Sequence, residues 1–290
     1  MGSLFNEQHE SNRADTRLIR EALDGNKQSL EKLILRHQGW IYNIAFKMVM
    51  DPDDAADITQ EILIKAITSL SSYNPERGAF RTWIYRITAN HVLAMKKKKF
   101  EYRIHDMETY ASLIEKMPDD RAGSHPEQKV LEEEIKTGCM MGMMMCLNRR
   151  ERLVFILGGI FGLKDTEGGT IMDVSRENFR KMLSRARRKI ITHMGGFCGH
   201  ANPENPCRCA HKVNSFLNLG MADPEKLRYH HPAQPKVREV ITEKYETFKD
   251  LYYDPFFELY LDQPFYRSPD MTQWIREILQ HEQFKDIFDL

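Results

Sequence analysis

The residues that most constrain the fold are "SLEKLILRHQGWIYNIAFKMVM", 29–50. Leu30, Leu33, Ile34, Ile41, Ile44, Ala45 and Met48 recur along it on one helical stripe. A period near 3.6 sustained this far lines one face of a helix and does not fit a strand. The same period returns on both sides. "DTRLIREAL" reads as a helix with Asp15 as its N-cap, and "LDGNK" supplies a stop. Past a "DPDD" turn, "AADITQEILIKAITSL" sets Ile58, Ile62, Ala66 and Leu70 four apart. "AFRTWIYRITANHVLAMKKKK" carries Phe80, Ile84 and Ile87 in a fourth stripe. No segment alternates, so the fold class predicted is all-α.

From residue 100 to about 126 the chain becomes polar and ends in Gly and Pro, the composition of a flexible linker. Helical patterns resume in "PEQKVLEEEIKTGCMMGMMMCL", "NRRERLVFILGGIFGL" and "DVSRENFRKMLSRARRKIITHM". Cys139 and Cys146, seven apart among methionines, read as soft core residues. A net charge of zero conceals an asymmetry. Residues 147–193 hold eleven Lys/Arg against five Asp/Glu, while 212–290 hold ten against fourteen. A basic middle before an acidic tail fits nucleic-acid binding in one domain. The tail segment "YETFKDLYYDPFFELYLDQPFY" has nine Phe/Tyr in 22 residues, which suits a packed small domain or a docking surface. The boundaries predicted are a helical domain at 1–99, a linker at 100–126, a second helical domain at 127–193, a cysteine-rich segment at 194–211 and an extension at 212–290. No apolar run reaches the length of a membrane span, and the N-terminus lacks the apolar core of a signal peptide. The chain therefore reads as cytoplasmic, with no membrane partner.

Two stretches carry the chemistry. In "GLKDTEGGTIMDVSRENFRKMLSRARRKI" a helical pattern stops near Met172-Asp173-Val174, and Ser175 is placed to cap a second helix. That helix presents Arg176, Asn178, Arg180, Lys181 and Arg185. A helix-turn-helix needs this arrangement, with side chains near the second helix's N-terminus meeting base edges and basic residues holding phosphates. In "YNPERGAFRTWIYRITANHVLAMKKKK", Trp83, Arg86 and Asn90 fall at i, i+3 and i+7. An aromatic, a cation and an amide on one face can stack on and hydrogen-bond to unpaired bases. Lys96 and Lys97 open a run of four phosphate-binding charges.

Together these stretches resemble the extracytoplasmic-function group of sigma-70-type sigma factors. "DDAADITQEILIKAITSLSSYNPERGAFRTWIYRITANHVLAMKKKK" looks like their region 2, and "LNRRERLVFILGGIFGL…DVSRENFRKMLSRARRKI" like their region 4. The resemblance spans about residues 15–193. It implies a factor that brings core RNA polymerase to promoter DNA, with no catalysis and no cofactor required, and with an anti-sigma protein as a further potential partner. It implies polymerase docking through Asp57, Gln60 and Glu61. Melting and reading of the −10 element would fall to the 73–80 loop with Trp83, Arg86 and Asn90. Reading of the −35 element would fall to Ser175, Arg176, Asn178, Arg180 and Lys181. One departure stands out: Gly168-Gly169 replaces the family's usual Ile-Ala pair, at a cost in a helix interior of about 1 kcal/mol each.

The segment "CGHANPENPCRC" lies outside the common two-domain pattern. Cys198, Cys207 and Cys209, with His200 or His211, form a tetrahedral ligand set for a structural zinc, and two Asn-Pro turns bring the chain back on itself. Reduced thiols in a folded loop and a redox switch are the alternatives there. Two other functions compete with the main reading: a helix-turn-helix regulator independent of polymerase, and a zinc-dependent enzyme whose only support is this cluster.

Overall fold

The computed structural model describes residues 4–104, 106–119, 127–241 and 255–280. The described residues form helices and no strand, apart from two isolated bridges. The first half is α1 (Leu4–Leu23), α2 (Lys27–Val49), α3 (Pro52–Thr68) and α4 (Phe80–Ala94). The glycine in "LDGNK", Gly25, has φ 93°, and Asn26 then caps α2 by accepting from Ser29 N–H. Met50 ends α2 in the left-handed region, and the Asp51 carboxylate caps α3 through the N–H groups of Asp53 and Asp54. The stripes read from the sequence are buried: Leu30, Leu33, Ile34, Ile41, Ile44, Ala45 and Met48 on α2, and Ile58, Ile62 and Ala66 on α3 with Leu70 just beyond it. Phe80 and Ile84 join them from α4, with Ile87 partly covered.

Asp15 does not cap a helix. It lies inside α1, buried, with Arg36 Nε donating to one carboxylate oxygen at 2.8 Å and His37 Nε2 3.0 Å from the other. Its sequence position resembled a cap; tertiary pairing with α2 gives it another task.

The expected flexible linker is, over its described part, two helices, α5 (Lys99–Arg103) and α6 (Met107–Lys116). Polar composition hid three apolar anchors: Tyr110, Ile114 and Met117 are buried, and Tyr110 Oη donates to Cys139 O at 3.1 Å. The second half is α7 (Gln128–Met145), α8 (Arg149–Val154), a widened turn at Phe155–Ile160, α9 (Asp165–Met172) and α10 (Arg176–Phe197). The halves are joined by Arg152 of α8, only 3% exposed. Its guanidinium donates to Met144, Met145 and Leu147 carbonyls at the end of α7, to Met48 O at the end of α2, and to Glu101 of α5.

Beyond α10 come α11 (Cys209–Asn218), α12 (Val237–Val240), α13 (Pro255–Leu261) and α14 (Thr272–Gln280). In the aromatic stretch 245–266, residues 245–254 lie outside the described residues. The described remainder packs on both halves. Asn43 of α2 exchanges two hydrogen bonds with the Tyr266 backbone, at 2.7 and 2.8 Å. Tyr260 Oη donates to Met140 O at 3.2 Å, and the Glu134 carboxylate accepts from the N–H groups of Arg228, Tyr229 and His230.

Lys47 of α2 is 0% exposed, donates to Gln263 Oε1 at 3.2 Å, and lies 5.0 Å from the Tyr266 ring centroid. Burial alone pushes its pKa down to about 7. In the unfolded chain the amine keeps its proton to about 10.5. Between those values the unfolded chain binds more protons, so stability rises with pH. The thiols of Cys139 and Cys146, pushed up to about 12 mainly by burial, act in the opposite sense above their ordinary value of 9.0. The window for Lys47 is therefore pH 7 to 9. Urea denaturation should show wild-type stability rising there relative to Lys47→Met, by up to ~1.4 kcal/mol per pH unit. Parallel profiles for the two proteins would contradict a buried neutral amine.

Candidate nucleic-acid interface

The loop before α4 is shaped by its own residues. Asn74 accepts from Glu76 N–H, Gly78 takes φ 146°, and Tyr73 Oη donates to Gly78 O at 3.0 Å. Tyr73, Phe80 and Trp83 form an aromatic nest: Phe80 and Trp83 stack with centroids 5.3 Å apart, and Tyr73 meets the edges of both. Trp83 is half-buried in this nest, with Arg86 and Asn90 exposed further along the helix. Stacking on Phe80 fixes one side of the indole and limits its freedom. Lys96 and Lys97 are exposed, while Lys98 is held by Asp54 at 2.9 Å.

On α3, Asp57 and Glu61 are exposed and Gln60 is half-buried. Glu61 lies 3.2 Å from His91 Nε2, and Lys65 Nζ lies 2.7 Å from the other ring nitrogen. Burial, then the Lys65 charge, holds His91 below its ordinary pKa, which favours the neutral ring.

The helix-turn-helix is built as its sequence suggested. Asp173 ends α9 in the left-handed region (φ 53°), and Ser175 Oγ accepts from Asn178 N–H at 3.1 Å to start α10. Arg176, Asn178, Arg180, Lys181 and Arg185 are all exposed, while Phe179, Met182 and Ala186 face the core. Gly168 and Gly169 stay within α9 because the two helices meet there. A Cβ on Gly168 would run into the Phe179 ring, and one on Gly169 would stand 2.9 Å from Val174 O.

Sequence reading missed the acidic side chains that answer these cations. Asp165 lies 2.8 Å from Arg176 Nε and 3.3 Å from Arg180 Nε, and the Arg176 hydrogen bond leads in holding its carboxyl below the usual range. Glu167 pairs with Arg81 of α4 at 3.1 Å. Thus α9 packs on α4, and an open cleft of about 520 Å3 is lined by Arg86 on one side and by Thr170, Ser175 and Arg176 on the other. The two proposed DNA-reading faces share this cleft. A signal for the pairing was present in "KDTEGGT", where two acids precede the basic helix.

The cysteine segment reverses as expected. The backbones of Cys198 and Cys207 pair as an isolated parallel β-bridge, Gly199 N–H donates to Cys207 O at 3.1 Å, and the Asn205 amide donates to Cys198 O at 3.1 Å. All five cysteines are free thiols. His200 is exposed, and His211 Nδ1 stands 3.9 Å from Asp119. Cys139 of α7 packs against the core, as its setting among methionines suggested. Burial leads in raising its pKa and that of Cys209. Among the described residues no group of three or more His, Cys, Asp or Glu is set at metal-holding spacing. No helix of the described residues is long and apolar enough to cross a membrane.

Residues 33–100 match the family model for Sigma-70 region 2. Over 166 residues the chain is 26% identical to the ECF RNA polymerase sigma factor SigE of Mycolicibacterium smegmatis, covering 57% of this chain and 62% of that one. Over 183 residues it is 28% identical to the RNA polymerase sigma-H factor of Pseudomonas aeruginosa, covering 61% and 91%. Over 180 residues it is 23% identical to the ECF RNA polymerase sigma factor SigW of Bacillus subtilis, covering 59% and 92%.

The glycine pair gives a test opposed to helix propensity. Propensity alone predicts that Gly168→Ala gains about 1 kcal/mol. The contact with Phe179 predicts a loss of ~1–3 kcal/mol from overpacking. Thermal denaturation should show a lower Tm for the variant; a raised Tm would remove the close approach of α9 to α10.

Proposed function

We propose that this chain, which belongs to the extracytoplasmic-function group of the sigma-70 family, divides the work of promoter recognition among three exposed surfaces. The family are transcription initiation factors and not enzymes, and the chain's function is to direct RNA polymerase in initiation. Asp57, Gln60 and Glu61 on α3 dock the polymerase. Trp83, Arg86 and Asn90, with Lys96 and Lys97, take the opened −10 strand. Arg176, Asn178, Arg180, Lys181 and Arg185, with Ser175 at the cap, take the −35 duplex. The observation that carries this reading is the Ser175-capped α10 with every proposed reading side chain exposed, in a chain whose residues 33–100 match sigma-70 region 2. A polymerase-independent regulator would not need the second of these.

Substitutions separate the roles. Charge reversal in Asp57→Lys with Glu61→Lys should weaken binding to core polymerase at least tenfold with the melting temperature little changed. Trp83→Ala should reduce permanganate reactivity of the −10 region more than it reduces closed-complex formation, because its partner is an unpaired base. Arg180→Ala should weaken duplex binding by ~1–3 kcal/mol if it reads a base edge. Normal strand opening by the Trp83 variant would remove the stacking role, and failure of the wild type to bind core polymerase would end the whole reading.

A structural zinc belongs to the same proposal at a finer level. Its ligands would be Cys198, Cys207 and Cys209 of the reversed segment, with His200 or His211 as the fourth. Since no three stand at ligand spacing, binding would have to draw them together. Metal analysis of protein purified without added zinc should give about one zinc per chain, lost in Cys207→Ser. A metal-free protein with a folded tail would overturn it.

A further inference from the structure

The cations along α10 differ in what holds them. Lys181 pairs with Glu177 of its own helix at 2.7 Å, and both side chains are 68% exposed. Such a pair is open to water on every side and fixes little. Arg176 and Arg180 instead share one carboxylate that belongs to another element, Asp165 of α9. The Asp165 side chain is 20% exposed, against 61% for Arg176 and 52% for Arg180. The anion is recessed, and the cations stand out in front of it.

The backbone keeps Asp165 in that position. It is the first residue of α9, and its carboxylate is also hydrogen-bonded by the Thr166 backbone. Gly168 follows one turn later, where α9 meets the Phe179 ring, and Arg176 lies one turn before Phe179. The close approach that excludes a Cβ at Gly168 therefore also sets the carboxylate against the guanidinium.

The atoms involved decide what is left for a ligand. Both contacts reach the same oxygen, Oδ2, and both are made by Nε, at 2.8 Å from Arg176 and 3.3 Å from Arg180. The Arg176 contact is a hydrogen bond; Arg180 is the looser of the two and leaves more readily for a phosphate. A guanidinium carries five N–H donors. With Nε of Arg176 held, the four on its two Nη atoms remain for DNA. The base edge that suits such a fork is guanine, whose O6 and N7 accept two bonds from one arginine.

One carboxylate so placed has two effects on binding. Its charge opposes the phosphate backbone whatever the sequence. Its hydrogen bond narrows the rotamers open to a long side chain, which pre-organises the fork before DNA arrives. Weak as it is for stability, the contact trades general affinity for dependence on the base.

We propose that Asp165 is a specificity-determining positioning residue, holding Arg176 by Nε so that its Nη fork meets a guanine edge in the −35 duplex. The proposal rests on the sigma-factor reading and deepens its −35 surface.

Promoter fragments randomised over the −35 element, bound by the full chain with core polymerase and then sequenced, test it. Arg176→Ala marks the position that Arg176 reads, by the guanine preference lost there. At that position Asp165→Ala should lose at least fivefold of the preference, while its binding to fragments of unrelated sequence strengthens several-fold. Asp165→Asn removes the same charge but keeps an oxygen for Nε. It should strengthen unrelated binding equally and retain most of the preference. Unchanged guanine preference in Asp165→Ala, or an equal loss in Asp165→Asn, would overturn the proposal. So would an Arg176→Ala variant that loses preference at no position. A helix-turn-helix merely destabilised by the substitutions would weaken preference at every position in both variants alike, and that result would overturn it too. Failure of the wild type with polymerase to enrich any promoter sequence would instead overturn the sigma reading, and the role of Asp165 with it.

Discussion

A buried arginine holds the architecture together. Arg152 reaches three carbonyls at the end of α7, one at the end of α2 and the Glu101 carboxylate, and Arg149 reinforces the same carboxylate at 2.6 Å. Helix ends leave carbonyls without partners. One planar donor fork satisfies several of them from two helices that are about a hundred residues apart in sequence. Removing either member of such a pair leaves an uncompensated buried charge, at a cost of ~3–5 kcal/mol. The halves therefore share a core through a polar joint as well as an apolar one, and the positions of α4 and α9 follow from it.

That convergence sets the electrostatics of the proposed reading surfaces. Asp165 and Glu167 offer carboxylates to Arg176, Arg180 and Arg81, cations that would otherwise be available to phosphate. These pairs are partly exposed, and exposed ion pairs contribute only ~0–1 kcal/mol. They occupy the guanidinium groups without binding them strongly, which suits the exchange of internal partners for phosphate under the proposed function. The acidic extension supplies the other side of the same balance: its aromatic and amide groups cover α2 and α7.

Much of this was legible in the sequence because it depended on local pattern. The α2 and α3 stripes, the Ser175 cap and the exposure of the α10 cations follow from helical period and capping chemistry. What was not legible depended on partners distant in the chain. Asp15 carries the composition of a cap, yet it pairs with Arg36 and His37; Glu101 and Tyr110 lie in a polar stretch, yet each is buried against the second half. Gly168 looked like a weakness of α9 and is required by the Phe179 ring.

The most direct measurement is a distance. Pulsed electron spin resonance between labels introduced on the exposed end of α4 and on the exposed face of α10 reports how the two proposed reading helices sit. The account predicts one short distance in the free protein and a long one, by several tens of ångströms, in the complex with polymerase and promoter. A long or broad distribution in the free protein, or the same short distance in both states, would contradict it.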